Sequence, residues 1–441
     1  MVSSYSTRLW RLFSIAVLSV AVAACGGGDD DDGNGSLRVI NATADVDSID
    51  VTVEGLDDDN DDDGEKRFAA AVARDGQSEY ATIGDGNWRL RLKRAGASSS
   101  LALSSAAITK DERYTVFAYG REGDYRIYAA FDGDEEDEPA SGKAKIRVFN
   151  AAADAGSVDV YVTESSASLD DTIATASGVA GATMGFYTTI DSGTFRLRVT
   201  GIKDKADIRL DVEGLVLPSK GRVTIVLQPG PGGVLVNALV SQFQSGISTL
   251  KNTKARARLV AGVTGNGAGT ADLGGTSLNV NLRSPSVGSY ALVPAGTVVA
   301  NLRINATTSL SGPAALAAGG DYTVAVYGDA ATPTWRLITD DNRPPANGEK
   351  TKMRLLHMAV GLDSLTLVKD YVAVANDVAY GNASTYGEVT GSTSARVEVT
   401  SPLSVTPLFL SEDAVLPART VFTVFMLGGS STPIGILRRE R

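Results

Sequence analysis

Histidine and cysteine are nearly absent from this chain of 441 residues, which contains one of each. Histidine most often carries general acid–base catalysis near neutral pH, and zinc sites usually combine several histidine or cysteine ligands. A single cysteine also excludes an internal disulfide. Aromatic residues make up only 6% of the chain. The composition therefore argues against an enzyme, and the fold must be held by core packing alone.

Helical periodicity is missing as well. Beyond residue 36 no long segment repeats its apolar residues every 3.6 positions, the period of an amphipathic helix. Short runs of alternating apolar residues are instead separated by turns rich in glycine, aspartate and serine, and glycine reaches 47 residues. This pattern predicts an all-β protein.

The N-terminal segment resembles a lipoprotein leader. Arg8 and Arg11 precede an apolar stretch of 13 residues (12–24), which is shorter than the roughly 20 residues of a membrane-spanning helix. The stretch ends VAAC, so Cys25 stands where bacterial lipoproteins carry diacylglycerol and palmitate. We expect residues 1–24 to be a signal peptide, Cys25 to be the lipid attachment site, and the protein to be held by its lipid at the outer membrane, since Gly26 is not the aspartate that retains lipoproteins in the inner one. An ordinary secretory signal is the alternative.

Acidic residues are concentrated toward the N-terminus. The formal net charge is −11 for the whole chain and −16 for residues 26–142, which leaves about +3 for residues 143–441. Residues 25–36 contain four adjacent aspartates and no apolar run, and such segments stay extended and disordered. We expect a flexible tether there. A negative membrane-proximal part argues against nucleic acid as a partner.

An internal repeat organises the remaining sequence. Similar first strands begin RVIN, RVFN, RLVA and RLLH, and a tyrosine and a late apolar strand with a threonine follow in the same order. The threonines lie 109, 99 and 100 residues apart. The markers are the arginines Arg38, Arg147, Arg258 and Arg354; the tyrosines Tyr80, Tyr187, Tyr290 and Tyr386; and the threonines Thr115, Thr224, Thr323 and Thr423.

This repeat predicts four tandem immunoglobulin-like antiparallel β-sandwich domains, because each unit of roughly 100 residues must bury two sheet faces. We expect each unit to own its core, with few contacts crossing the linkers. On that basis residues 143–242 alone should fold and give a β-type circular dichroism spectrum. The predicted domains are 37–132, 143–242, 254–342 and 350–441.

The second unit carries a family resemblance. Its motifs RVFNAAAD, starting at Arg147, and VDVYV, starting at Val158, resemble the bacterial surface-repeat family known as domain of unknown function 4397. The first unit matches with an acidic insertion, whereas the third and fourth diverge after their first strand. The resemblance implies an extracytoplasmic β-sandwich and brings no known activity or catalytic residues.

The acidic insertion is the sharpest local signal. Asp59, Asp61 and Asp63, followed by Gly64, match the first half of a calcium loop, but its twelfth position is Ala70 instead of a bidentate glutamate. These three aspartates are a speculative calcium site, and a solvated acidic hairpin tip is the alternative. No other cofactor is expected.

We therefore expect a membrane-anchored, surface-displayed, non-catalytic repeat protein that acts as a stalk, scaffold or adhesion module, with a surface protein or polysaccharide as partner. His357, the only histidine, is expected to be structural.

One alternative is a carbohydrate-binding lipoprotein that uses aromatic residues near Trp88 and Trp335. A second is a hydrolase with paired carboxylates. The arginines Arg89, Arg196, Arg303 and Arg396, which recur at one strand position in the sequence, are expected to pair with acids or to lie along the sheet face. A ligand-binding stripe is the alternative.

Overall fold

The computed structural model of the protein describes residues 33–56, 64–133, 138–265 and 267–441. Within these ranges the secondary structure is β-strand, apart from one 3₁₀ turn at Ala153–Ala155. The strands form eight sheets, two for each sequence repeat. The all-β prediction and the four immunoglobulin-like sandwiches are confirmed.

The first two repeats contain seventeen strands. In repeat 1 they are β1 (Asn34–Thr43), β2 (Ser48–Gly55), β3 (Lys66–Ala73), β4 (Ala81–Gly84), β5 (Gly86–Arg94), β6 (Ser100–Ile108), β7 (Arg113–Arg121) and β8 (Asp124–Phe131). In repeat 2 they are β9 (Lys143–Asn150), β10 (Val158–Thr163), β11 (Ala176–Val179), β12 (Thr188–Asp191), β13 (Gly193–Gly201), β14 (Asp204–Leu217), β15 (Gly221–Pro229), β16 (Val236–Gln242) and β17 (Ile247–Leu250).

The last two repeats follow the same order with small additional strands. In repeat 3 they are β18 (Lys254–Val263), β19 (Ala268–Leu273), β20 (Thr276–Arg283), β21 (Ser286–Val287), β22 (Ala291–Pro294), β23 (Gly296–Ile304), β24 (Thr308–Leu316), β25 (Asp321–Gly328) and β26 (Pro333–Asp340). In repeat 4 they are β27 (Lys350–His357), β28 (Leu365–Lys369), β29 (Val372–Val378), β30 (Asn382–Ala383), β31 (Gly387–Thr390), β32 (Ser392–Thr400), β33 (Phe409–Leu416), β34 (Val421–Gly429) and β35 (Thr432–Arg439).

Each repeat has an inner sheet, which contains its first strand, and an outer sheet. In repeat 1 the inner sheet has the order β4-β1-β7-β8 and the outer sheet the order β3-β2-β5-β6. The first strand pairs in parallel with the late apolar strand, as β1 with β7, and the other pairs are antiparallel. The same parallel pair recurs as β9 with β15, β18 with β25 and β27 with β34. The predicted pairing is therefore correct except for one parallel pair in each repeat.

Every repeat has an apolar core of its own between its two sheets. In repeat 1, Leu37 and Val116 of the inner sheet pack against Ile49 and Leu90 of the outer sheet, and all four side chains are fully buried. Separate clusters of the same kind fill repeats 2, 3 and 4. Alternation along each strand supplies these inward side chains.

The inner sheets are also buried on their second face. Along β1, Leu37 and Val39 point into the core of repeat 1, whereas Ile40 and Ala42 point away from it into a second cluster with Phe149 of repeat 2. A strand buried on both faces has a continuous apolar run instead of an alternating one. This burial explains why the first and late strands of each repeat are the most apolar of the chain.

We call the two contacts between inner sheets the seams. The seam between repeats 1 and 2 and the seam between repeats 3 and 4 are each a cluster of buried side chains. The expectation that few contacts cross between neighbouring repeats is therefore wrong for these two pairs. The first seam consists of Ile40, Ala42, Phe117, Tyr119, Ala130, Phe149, Ala151, Val226 and Leu239, and the second of Val260, Ala325, Tyr327, Ile338, Leu356, Met358, Phe425 and Leu427.

Hydrogen bonds also join one pair of repeats to the other. The backbone N–H of Gly232 in repeat 2 donates to the carbonyl of Gly319 in repeat 3 at 2.9 Å. The guanidinium of Arg121 in repeat 1 donates at 2.6 Å to the carbonyl of Pro344, which lies between repeats 3 and 4. The proline-rich segment after repeat 3 thus accepts a hydrogen bond from a distant repeat.

Two strands lie outside the predicted repeat limits. Strand β1 begins at Asn34, where Asn34 to Ser36 pair with β4, so the predicted tether is too long by its last three residues. Strand β17 lies between predicted repeats 2 and 3 and pairs with β16. It extends the inner sheet of repeat 2 to five strands.

Candidate functional site

The residues predicted to anchor the protein or to bind calcium lie outside the described part of the chain. This applies to Cys25 and the leader before it, and to Asp59, Asp61 and Asp63. Among the described residues no helix is long and apolar enough to cross a membrane. Lipidation and calcium binding therefore stay predictions from the sequence.

The described flanks of the acidic insertion are two paired strands. Val53 of β2 lies opposite Lys66 of β3, so the insertion connects the strands of an antiparallel hairpin. Glu65 accepts a hydrogen bond from the Thr52 hydroxyl at 2.6 Å and pairs with Lys93 on the outer sheet. In the described ranges no group of three or more histidine, cysteine or acidic side chains is placed to hold a metal ion.

Calcium should stabilise repeat 1 if the three aspartates of the insertion converge on the ion. A weak site with a Kd on the order of 10⁻⁴–10⁻³ M adds roughly 1–2 kcal/mol at about ten times Kd, because the ion binds only the native state. We expect thermal unfolding followed by circular dichroism to show a higher Tm in calcium. The gain should vanish when Asp59, Asp61 and Asp63 are all replaced by asparagine.

Sodium and magnesium at matched ionic strength are the controls, because any cation screens the repulsion among neighbouring aspartates. A gain in sodium equal to the gain in calcium would identify the insertion as a solvated acidic tip.

His357 is a buried residue of the last repeat. Its side chain is fully buried on β27, its Nε2 lies 2.9 Å from the carbonyl oxygen of Asp363, and its ring contacts Tyr380 edge to face at 5.7 Å. Burial lowers the pKa of His357, so the neutral ring is favoured. This buried environment is that of a structural histidine.

The tryptophans named for carbohydrate binding do not form an exposed platform. Trp88 is 7% exposed, belongs to the core of repeat 1, and donates from Nε1 to the carbonyl of Gly84 at 2.9 Å. Trp335 is partly buried and packs against the core of repeat 3. Sugar rings stack on exposed aromatic faces, which these two side chains do not offer.

The sequence markers of the repeats meet at one place in the structure. In repeat 1 the parallel register places Arg38 directly opposite Thr115, and Arg38 Nε donates to the Thr115 hydroxyl at 2.8 Å. The Arg38 guanidinium lies over the ring of Tyr80, 4.7 Å from its centroid, which is a cation–π contact. We call this arginine, tyrosine and threonine the marker cluster.

The marker cluster is present in all four repeats. Each arginine lies opposite its threonine in the parallel pair and donates to it, and each guanidinium lies between 4.5 and 4.7 Å from the centroid of its tyrosine. The further members are Arg147, Tyr187 and Thr224; Arg258, Tyr290 and Thr323; and Arg354, Tyr386 and Thr423.

Buried carboxylates connect the marker clusters across the seams. Asp340 of repeat 3 accepts hydrogen bonds from Tyr290 and Thr323 of its own repeat, both at 2.6 Å, and pairs with Arg354 of repeat 4. In return Glu440 of repeat 4 accepts two hydrogen bonds from Arg258 of repeat 3, at 2.5 and 2.7 Å. The second seam is thus reciprocal, as in the interface of a two-fold dimer.

The first seam has only one of the two ion pairs between repeats that the second seam has. Asp132 of repeat 1 accepts from Tyr80 at 2.7 Å and pairs with Arg147 of repeat 2. Phe243 takes the equivalent place in repeat 2, since β8 and β16 pair with β7 and β15 in the same way. Arg38 donates instead to the main-chain carbonyl of Gln242 at 3.0 Å.

The charges at the second seam reinforce one another. Burial alone would raise the pKa of Asp340, but the guanidinium groups of Arg354 and Arg258 outweigh it and hold that pKa below its usual value. Burial and the nearby Asp340 carboxylate raise the pKa of Tyr290 well above its ordinary value. The tyrosine is therefore a permanent hydrogen-bond donor and the aspartate a permanent anion at neutral pH.

The arginines, tyrosines and threonines of the marker clusters were recognisable as a repeat in the sequence, whereas these acids were not among the predicted markers. A signal was present, because Asp132, Asp340 and Glu440 each follow the threonine of their repeat by 17 residues. In repeat 2 a longer β15–β16 connection shifts this position by two residues, to Phe243, which hides the pattern.

A cleft of about 350 Å³ opens beside the first seam and is the concave site closest to the hydrolase alternative. It contains two carboxylates, Asp45 and Asp75. Asp45 accepts from the N–H of Glu122 and the hydroxyl of Tyr125, and Asp75 accepts from the amide of Gln228. Both acids are therefore engaged in structural contacts between strands or repeats.

The fold and the repeated marker clusters define a protein built from four homologous immunoglobulin-like β-sandwiches. The family described as Domain of unknown function (DUF4397) matches residues 35–161 and 255–368, more than half of the chain. The chain belongs to this family. The two matched regions agree with the repeated architecture that the sequence motifs predict.

Other comparisons add little. No curated protein matches the chain. Among solved structures, the Bacillus anthracis TIE protein matches with 9% sequence identity and a TM-score of 0.15, over 66% of this chain and 50% of that one. The chain thus spans half the length of that protein.

Proposed function

We propose that the protein is a membrane-anchored, surface-displayed and non-catalytic scaffold or adhesion module. The observation that carries this proposal is the seam, because buried apolar and ionic contacts make each pair of repeats one rigid unit. A carrier of binding surfaces benefits from such rigidity, since a rigid surface loses less conformational entropy when it binds.

Three features of the described residues support a non-catalytic role. The buried charges of the marker clusters form ion pairs within the protein and do not face a pocket. His357 is enclosed in the last repeat. The cleft beside the first seam has its two carboxylates engaged by neighbouring donors.

The anchoring part of the proposal rests on the sequence around Cys25. Replacement of Cys25 by serine removes the thiol that accepts the diacylglycerol, whose two acyl chains make anchoring stable. We expect wild-type protein to enter the detergent phase in a Triton X-114 partition and to incorporate labelled palmitate, and the C25S variant to stay in the aqueous phase without label.

A matched control is Ser36→Ala, which leaves the cysteine and the leader unchanged. Wild-type protein that takes up no palmitate, or a C25S variant that still partitions into detergent, would contradict lipid anchoring. Cleavage by protease added to intact cells, with a periplasmic protein left uncut, tests surface display in the same strain.

A further inference from the structure

The outer sheet of repeat 3 differs from the other three outer sheets in its charges. In repeat 1, Arg89 pairs with Glu54 of the neighbouring strand at 3.0 Å. In repeat 2, Arg196 makes two hydrogen bonds to Asp211, at 2.6 and 2.7 Å. In repeat 4, Arg396 pairs with Glu398 and also lies 3.5 Å from Glu412. These arginines neutralise acids of their own sheet.

Arg303 of repeat 3 has no such partner. The prediction that it recurs at the strand position of Arg89 and Arg196 is wrong, because the pairs Gly86–Ile108, Gly193–Leu217 and Gly296–Leu316 align Val299 with those two arginines. The cross-strand neighbours of Arg303 are Thr270 on β19 and Ser309 on β24. The position of Thr270 is an aspartate in the first two repeats, Asp50 opposite Lys93 and Asp159 opposite Thr200. Among the residues that the structure describes, no carboxylate lies within 4 Å of the Arg303 guanidinium, and the side chain is exposed. The N–H donors of its guanidinium therefore face solvent.

Arg303 lies in a shallow groove of about 410 Å³ whose other polar side chains are small and mostly uncharged. Asn301 and Ser311 are hydrogen-bonded to each other at 3.1 Å on the same face. Asp272 lies opposite Asn301, and its Oδ1 accepts the N–H of Gly275 at 3.0 Å. The groove therefore combines one cation, one carboxylate and several hydroxyl and amide groups.

We propose that this groove binds an acidic saccharide, with a sugar carboxylate on Arg303 and sugar hydroxyls on Asn301, Ser309, Ser311 and Asp272. A guanidinium binds a carboxylate through two parallel hydrogen bonds. The single acid in the groove accepts hydrogen bonds from hydroxyl groups, which a simple anion does not offer and a uronic acid does. Residues 254–342 carry six basic and five acidic side chains, so this repeat does not repel an anion as the acidic N-terminal part would.

Isothermal titration calorimetry of the full-length protein in detergent tests this site with trigalacturonic acid at low ionic strength. We expect saturable millimolar or tighter binding that weakens about 10-fold or more in Arg303→Ala, which is the factor that corresponds to 1.4 kcal/mol. Arg303→Lys keeps the positive charge but loses the two parallel N–H donors of the guanidinium, so its affinity should lie between those of the wild type and Arg303→Ala. Unchanged melting temperatures show that the exposed substitutions leave the fold intact.

Arg196→Ala is the control, because this arginine lies on the corresponding outer-sheet strand of repeat 2 but is already paired with Asp211. It should bind trigalacturonic acid as the wild type does. The proposal is overturned by an absence of saturable heat in the wild type, by equal affinity of Arg303→Ala, or by an equal loss in Arg196→Ala. Equal binding of neutral maltotriose overturns the role of the carboxylate, and equal binding of acetate overturns the saccharide as the ligand.

Discussion

Replacing Asp340 by alanine should lower the free energy of unfolding of the fragment 254–441 by about 3–5 kcal/mol. The reason is that the substitution removes the carboxylate that Arg354 and Arg258 share. These two guanidinium groups are only 2% and 0% exposed, so water cannot replace that anion. Removing one partner of a buried ion pair costs far more than the pair contributes, because the remaining charge stays desolvated. Urea unfolding followed by circular dichroism measures the change.

Asp329→Ala is the control, since this aspartate lies in the same repeat but is exposed and makes only loop contacts. It should cost less than about 1 kcal/mol. A comparable loss in both variants, or a loss below about 1 kcal/mol for Asp340→Ala, would show that the seam does not depend on this carboxylate. Asp340→Asn, which keeps the size of the side chain, provides a second variant if the alanine variant does not fold.

The same carboxylate predicts a pH dependence. Because the pKa of Asp340 is lower in the folded state than in the unfolded state, its contribution is complete above the unfolded value of roughly 4. It is lost as the pH falls through the lower folded value. The difference in stability between wild type and Asp340→Ala should therefore shrink in acid and stay constant between about pH 6 and 8.

A single repeat cut away from its partner should pair with a second copy of itself. In the fragment 254–342 the seam side chains Val260, Tyr327 and Ile338 would be exposed, and each large apolar side chain is worth roughly 1.5–3 kcal/mol when buried. Two copies can bury them again and let Arg258 of each meet Asp340 of the other, since the seam is reciprocal. We expect this fragment to be a dimer and 254–441 to be a monomer by analytical ultracentrifugation.

Val260→Asp in the single-repeat fragment is the companion variant, because it places a charge in the seam without touching the core of repeat 3. It should abolish dimerisation. A fragment 254–342 that is monomeric and melts at the same temperature as 254–441 would contradict the energetic importance of the seam and would support repeats that fold independently.

The β-sandwich architecture could be read from alternation and from the repeated markers, because both reflect local pairing and burial. The role of the markers could not be read in this way. Arg38 and Thr115 come together through a parallel pair of strands distant in sequence, whereas sequence alternation predicts strands but not which strands pair. The recurrence of the same residue types shows that these positions matter. It does not show whether the side chains bind a ligand or contact a neighbouring repeat.

The seams escaped prediction for a related reason. An apolar run such as the one around Phe117 predicts a buried strand but not how many cores it serves. Val116 and Phe117 point to opposite sides of one sheet, into different clusters. Among the four arginines of the outer sheets, the expectation of acidic partners is confirmed for Arg89, Arg196 and Arg396. Arg303 has no acidic partner among the described residues, because the neighbouring strands carry threonine and serine at the facing positions.

The parallel first strand also determines how far the protein reaches from its point of attachment. Leu37 on β1 lies opposite Tyr114 on β7, which in turn lies opposite Phe131 on β8, so the chain enters and leaves repeat 1 two strands apart, about 10 Å. A strand of about nine residues spans roughly 30 Å, and a repeat whose entry and exit share one end does not add that length to the chain's extension. Repeat 2 differs, because β17 turns back along β16 with Leu250 opposite Ala238, so the chain leaves repeat 2 at the other end of its inner sheet. Repeat 3 contacts that far end, where Gly232 donates to Gly319. The second repeat of a pair therefore widens the protein, whereas each further pair extends it away from the anchor.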